Sequence, residues 1–165
     1  MSTSSTTDRE LKLDKTDYKI LKKLQENGRI TNLQLSNEIG LSPAPTLERV
    51  KKLEGNGLIT GYHAHLDAVQ LGIGIKALVS VSLIKKNDDT IAEFKNKIQK
   101  IAEVVECLQI TGTFDFIFTV MVKDMISFEK IISQKLSKIE SIQQMQTSIV
   151  ISTTKATKII PLDYD

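Results

Sequence analysis

The sequence predicts an α+β chain in two parts: short amphipathic helices first, then strands alternating with helices. Three observations predict it. Up to residue 58, apolar residues recur at helical spacing between clear start and stop signals. From residue 76, runs of strict period two take over, in Ala77, Val79, Val81, Leu83 and again in Phe114, Phe116, Phe118, Val120, Val122. Between and after those runs, Ile91, Phe94, Ile98, Ile101 and then Phe128, Ile131, Ile132, Leu136, Ile139 return to the helical period.

In order along the chain, residues 1–12 are polar and rich in Ser and Thr, and are expected to be disordered for want of apolar surface. A first helix starts at Asp14, with Asp17 well placed near its positive end. Tyr18, Ile20, Leu21 and Leu24 give it an apolar face, and Asn27-Gly28 ends it. Thr31 caps a second helix, with Gln34 completing a Thr-x-x-Gln box. Leu33, Leu35 and Ile39 are its apolar contacts, and Gly40 closes it in the left-handed backbone that glycine accepts. Ser42 caps a third helix, which opens on Pro43 and keeps Pro45 inside its first turn, where no intrahelical bond is lost. Leu47, Val50 and Leu53 form the stripe expected to face inward.

The segment ITGYHAHLD then reads as a strand, and residues 67–75, DAVQLGIGI, as a hinge carrying two glycines. After the first alternating strand, a helix starts at Asp88-Asp89. A strand from Val104 to Ile110 and a turn at Thr111-Gly112-Thr113 lead into the phenylalanine-rich strand. A second helix and a last strand from Ile142 to Ser152 complete the order βαββαβ, the ferredoxin-like arrangement with both helices on one face of an antiparallel sheet. The expected domains are a helix-turn-helix, winged-helix-like unit at 13–62, a strand and hinge linker at 63–75, and a ferredoxin-like domain at 76–165.

Composition narrows the function. At 165 residues, 41% hydrophobic and 25% charged, this is an ordinary globular chain. Its 22 basic and 20 acidic residues leave a net charge of only +2, so attraction to nucleic acid must come from local placement of charge. No stretch approaches the length of a membrane span, and MSTSSTTDRE lacks the regions of a secretion signal. A single cysteine, Cys107, excludes an intrachain disulfide and fits a reducing compartment, the cytoplasm.

The second and third helices, joined by a tight turn, have the form of a reader of the DNA major groove. Ser42, Ala44, Pro45 and Thr46 form the leading tip of the third helix, small enough for close approach. Glu48, Arg49, Lys51 and Lys52 follow, opposite the leucine stripe, where cations reach phosphates or guanine edges. Arg49 and Lys52 are the expected neutralising pair. On periodicity alone, a solvated basic face on an ordinary helical hairpin explains the pattern equally well.

LDKTDYKILKKLQENGRIT, LSPAPTLERVKKLE and GLITGYHAHLD resemble the N-terminal half of the Lrp/AsnC regulators, and the similarity runs from about residue 13 to residue 155. The resemblance implies a transcriptional regulator that binds double-stranded DNA. It also implies a C-terminal domain that dimerises, assembles further into octamers, and senses a small effector, an amino acid. By itself a half of about 80 residues with one sheet face uncovered buries too little surface, so the open face is expected to meet a second copy.

Gly112-Thr113-Phe114-Asp115, at the junction of two strands, is similar to the family's Gly-acidic-aromatic-Asp motif in the effector pocket, with Thr113 where an acidic residue is frequent. Backbone N–H groups around Gly112 suit an α-carboxylate and Asp115 an α-ammonium. By the same resemblance, Thr147 and Ser148 face a neighbouring dimer's pocket. Without the resemblance, the four residues read more simply as a hairpin turn.

Other features carry less. His63 and His65 share a strand face, but two ligands make no metal site, and no metal or cofactor is expected. Cys107, in the apolar VVECLQI, reads as a small hydrophobe. Gly72-x-Gly74 lacks the strand, turn and helix of a nucleotide loop. The phenylalanine series has no interleaved basic residues to make a nucleic-acid stacking platform. Two rival functions remain. An amino-acid-binding module acting on an enzyme predicts no salt-sensitive DNA binding. A small enzyme built on Asp115 lacks an acid–base partner or nucleophile.

Overall fold

The computed structural model describes residues 12–162. The segment expected to be disordered, 1–12, falls outside them apart from Lys12. The chain divides into two compact units, one of residues up to His65 together with those from Thr157 onward, the other Leu66–Ala156.

The first unit is helical: α1 spans Lys15–Glu26, α2 Asn32–Ile39 and α3 Pro43–Gly55. Capping sets two of the three starts. Asp14 and Asp17 form a reciprocal capping box on α1, and Thr31 and Gln34 form one on α2. Gly40 closes α2 at φ 75°, and Leu41 N–H returns to the Ser36 carbonyl at 2.9 Å. Ser42 holds the N-cap position of α3 without using its side chain. Its carbonyl instead accepts from Thr46 N–H and Oγ1, at 3.3 and 2.9 Å. Ile20, Leu35 and Leu53 are the buried centre, with Leu21, Leu24, Ile39, Val50 and Ile59 around them.

Three expectations fail here. Leu33 and Leu47 are exposed, not packed. The inward stripe of α3 is Thr46, Val50 and Leu53. No strand forms over 59–67, because no ladder partner lies beside it among the described residues.

The second unit is a four-stranded antiparallel sheet in the order β2-β3-β1-β4, with β1 Ile75–Leu83, β2 Val104–Gln109, β3 Phe116–Val122 and β4 Ile142–Ile149. Helix α4, Asp88–Ile98, precedes β2, and α5, Met125–Gln134, precedes β4. Ala77, Val79 and Val81 lie opposite Val120, Phe118 and Phe116, and this face joins Phe94, Ile98, Phe128, Ile131 and Leu136 in one core. Rings of Phe94 and Phe116 stand 4.6 Å apart. Element kinds and order match the expected βαββαβ pattern.

Boundaries differ. The sheet begins before residue 76, since Gly74 N–H already donates to the Lys123 carbonyl at 3.1 Å. Phe114 lies outside β3, and Ile101, Leu136 and Ile139 follow their helices. β4 stops at Ile149, opposite Ala77, with one further bond from Val150 N–H to the Lys76 carbonyl. The expected domain end at 165 is also too late. Residues from Thr157 belong to the helical unit, where Ile160 exchanges two hydrogen bonds with the Gln25 side chain of α1, at 2.7 and 3.1 Å.

Candidate functional site: a helical DNA-reading face and a strand-junction turn

The outward face of α3 is held by contacts on its other sides. Asn32 Nδ2 donates to the Pro43 carbonyl at 2.8 Å, which ties the start of α2 to the start of α3. Ser42, Ala44, Pro45, Glu48, Lys51 and Lys52 are exposed together. Small residues lead, two lysines follow, and no ion pair is formed by either lysine among the described residues. This face fits a groove flanked by phosphates.

Two expected members are not available. Thr46 has no exposed surface. Its hydroxyl donates to the carbonyl four residues back, which lets a polar residue sit in the core at little cost. Arg49 is committed inside the unit: its guanidinium donates to Asp14 Oδ2 and Asp17 Oδ1, both at 2.7 Å. The Asp17 backbone N–H, and next the Arg49 guanidinium, hold the Asp14 carboxyl below its ordinary value. The clamp was half legible in the sequence, since Asp14-x-x-Asp17 is a capping box. Its third member, distant in the chain, gave no signal.

At the other site the turn lies on the connection into β3. Gly112 adopts φ 120°, a conformation that favours glycine, with open space around it. Thr113 is exposed and Phe114 half-buried, and the Thr113 carbonyl accepts from Ser82 Oγ at 3.1 Å. Asp115 is fixed at every polar atom. Its N–H donates to the Val81 carbonyl and its own carbonyl accepts from Ile110 N–H, both at 2.9 Å. Carboxylate Oδ2 accepts from Leu83 N–H at 2.9 Å, and Oδ1 pairs with Lys86 Nζ at 2.8 Å. Lys86, then the Leu83 amide, holds the Asp115 carboxyl below its usual range. The expected free acceptor is therefore already engaged. Lys86 was not anticipated, because nothing local in the sequence ties it to Asp115.

Thr147 and Ser148 do not share a direction. Thr147 lies opposite Val79, on the face the helices cover, and Ser148 opposite Leu78, on the open face. Of two surface concavities, one lies away from the turn and one borders it at Gln109 and Phe116. One of about 440 Å³ sits by Ile73, Met121, Ser127 and Ile131, and one of about 490 Å³ by Val104, Cys107 and Phe116.

The remaining candidates are plain. Cys107 is exposed on edge strand β2, where loss of water around the sulfur pushes its pKa up and disfavours the thiolate. His63 and His65 are exposed, and no group of three His, Cys, Asp or Glu gathers among the described residues. No helix among those residues is long and apolar enough to cross a membrane.

Comparison with known proteins places both units. The family described as winged helix-turn-helix DNA-binding matches residues 13–60, and the family described as Lrp/AsnC ligand binding domain matches residues 76–160. The chain is 37% identical to the leucine-responsive regulatory protein of Haemophilus influenzae over 91% of its own length and 90% of that protein's. It is 40% identical to the transcriptional regulator AzlB of Bacillus subtilis, over 92% and 96% respectively. Among solved structures it is similar to a Neisseria meningitidis transcriptional regulator in complex with L-Met, with a TM-score of 0.87 at 38% identity, covering 92% of this chain and 97% of that one. An AsnC family transcriptional regulator of Agrobacterium tumefaciens follows, with a TM-score of 0.86 at 29% identity, covering 92% and 99%.

Proposed function

The chain belongs to the Lrp/AsnC family of DNA-binding transcriptional regulators, and from that premise we propose how its two units act. In this reading α3 enters the major groove of double-stranded DNA tip first. Ser42, Ala44 and Pro45 approach the base edges, Glu48 reads a base donor, and Lys51 and Lys52 neutralise phosphates. Arg49 serves from within, holding α3 to the N-terminus of α1. The single observation that carries this is an exposed helical face with two uncommitted lysines, on a helix whose opposite side is anchored by Thr46, Asn32 and Arg49. The DNA-binding domain is then residues 13–62, joined by a linker at 63–75 to the sensing domain that follows.

The test is the salt dependence of DNA binding. Removing one lysine–phosphate interaction should lower the slope by about 0.9, so Lys51→Ala with Lys52→Ala should lower it by up to about twice that. A folded double variant with an unchanged slope would remove α3 as the contact element.

We assign the effector to the Gly112–Asp115 turn and its class to a free amino acid, supported by the L-Met complex of the Neisseria relative. In a single chain the turn is open surface, so its pocket is completed by a second chain. The chain assembles through its open sheet face as a homodimer, and dimers join into a higher oligomer such as an octamer. The effector shifts the balance between assemblies and so changes which DNA half-sites are held together. It works in the cytoplasm as a regulator, without a catalytic step of its own. A screen of free amino acids for concentration-dependent thermal stabilisation identifies the effector. No stabilisation by any of them would remove the amino-acid assignment.

A further inference from the structure

We propose that Lys86 is an internal stand-in for the effector's ammonium group at Asp115, so that effector binding exchanges one cation for another. The proposal rests on the Gly112–Asp115 reading above. Asp115 has no freedom to meet a ligand elsewhere. Its backbone is pinned on both sides by Val81 and Ile110, and Oδ2 is held by Leu83 N–H. Oδ1 is the oxygen no backbone group uses, and Lys86 Nζ occupies it at 2.8 Å. The side chain of Asp115 is 17% exposed and that of Lys86 63%, so the carboxylate is a fixed station and the lysine a solvated arm. Lysine and an α-amino acid offer the same group, a positively charged –NH₃⁺ with three donors. Two such groups on one oxygen repel each other, which makes exchange favoured over addition.

The exchange has consequences for specificity. A ligand lacking an α-ammonium cannot replace Lys86, so a hydroxy acid meets an Asp115 that is already neutralised. A ligand with the ammonium replaces a lysine that is itself mostly in water, so displacement weakens binding without preventing it. Without effector, Lys86 keeps the loop after β1 drawn to the turn. Binding therefore releases the Lys86 side chain at the moment the site fills, while Ile84 N–H stays on the Ser141 carbonyl and Asn87 stays at the cap of α4.

The test compares wild type, Lys86→Met, Lys86→Arg and Asp115→Asn, each in the full chain. Binding is measured by calorimetry and thermal shift, with L-methionine and the other free amino acids and with the 2-hydroxy acid analogue of methionine. Lys86→Met should tighten the responsive amino acid by about two- to fivefold, the scale of an exposed ion pair. It should leave the hydroxy acid no tighter, and Lys86→Arg should bind as wild type does. Weaker amino-acid binding in Lys86→Met would show that Lys86 grips the effector's carboxylate, which overturns the exchange; unchanged binding overturns it too. Failure of the site itself looks different. If Asp115→Asn binds as tightly as wild type, or no amino acid binds any of the four proteins, the Gly112–Asp115 reading falls and the exchange with it.

Discussion

Arg49 shows how a side chain that its neighbours in sequence place on a reading face can be engaged within the fold instead. It follows Glu48 and precedes two lysines, yet its guanidinium lies 2.7 Å from both Asp14 and Asp17. Asp17 is nearly shielded from water, so this pair is screened less than a surface pair. Arg49→Ala should destabilise the chain by about 1–2 kcal/mol, a value discounted because Arg49 itself is partly exposed. Urea unfolding checks it, and a stability within a few tenths of wild type would make the clamp ornamental. Its DNA affinity, measured well below the melting temperature, should keep the wild-type salt slope.

The same clamp predicts an acid response. The Asp14 and Asp115 carboxyls are both held below the ordinary aspartate value of 3.8 in the folded chain. Groups depressed in this way add stability that is fully present above the unfolded pKa and is lost as pH falls through the folded one. Melting temperature should therefore hold from neutral pH to about pH 5 and decline below about pH 4. Asp14→Asn should start lower and decline less over that acid window. Parallel curves for the two proteins would show that Asp14 is not among the groups responsible.

At the scale of elements, the turn between α2 and α3 sets how the reading face is presented. Gly40 sits at φ 75° with nothing near a hypothetical Cβ, so Gly40→Ala costs backbone strain alone, about 1 kcal/mol. Thr31→Ala, which removes the capping box of α2, should cost about 1 kcal/mol as well. Denaturant titration of each variant decides both values. On β4, the pleat places Thr147 and Ser148 on opposite faces. Alanine at only one of the two should weaken effector binding, and equal losses at both would mean that the strand is rearranged in the assembly.

Across the whole molecule, the sheet in Leu66–Ala156 has one covered face and one bare one. Leu108, 50% exposed, lies opposite Ile117 on the bare face, and Leu78 lies across from Ser148 on the same side. Specific dimers bury about 1,600 Å² in total, and this face offers a broad surface with apolar residues to contribute to one. Leu108→Glu removes nothing from the chain's own core, so it should fold normally and sediment as a smaller species than wild type. A folded Leu108→Glu protein with the wild-type sedimentation coefficient would move the interface elsewhere.

What the sequence by itself determined is the three helices of the first unit, the βαββαβ order of the second, the capping box of α2, and membership of the family. Period, capping boxes and a left-handed glycine are properties of a few consecutive residues, so they are written locally. Only the tertiary structure decided which way α3 turns. Successive helical residues differ by about 100°, so a polar Thr46 in the core and an exposed Leu47 are one small rotation away from the expected stripe. Packing against Ile20 and Leu35 set that rotation. The ion pairs of Arg49 and Asp115 and the return of Ile160 to Gln25 belong to the same class. Each joins groups far apart in the chain, and a charge or an amide selects its partner by distance in space, which the order of residues does not record.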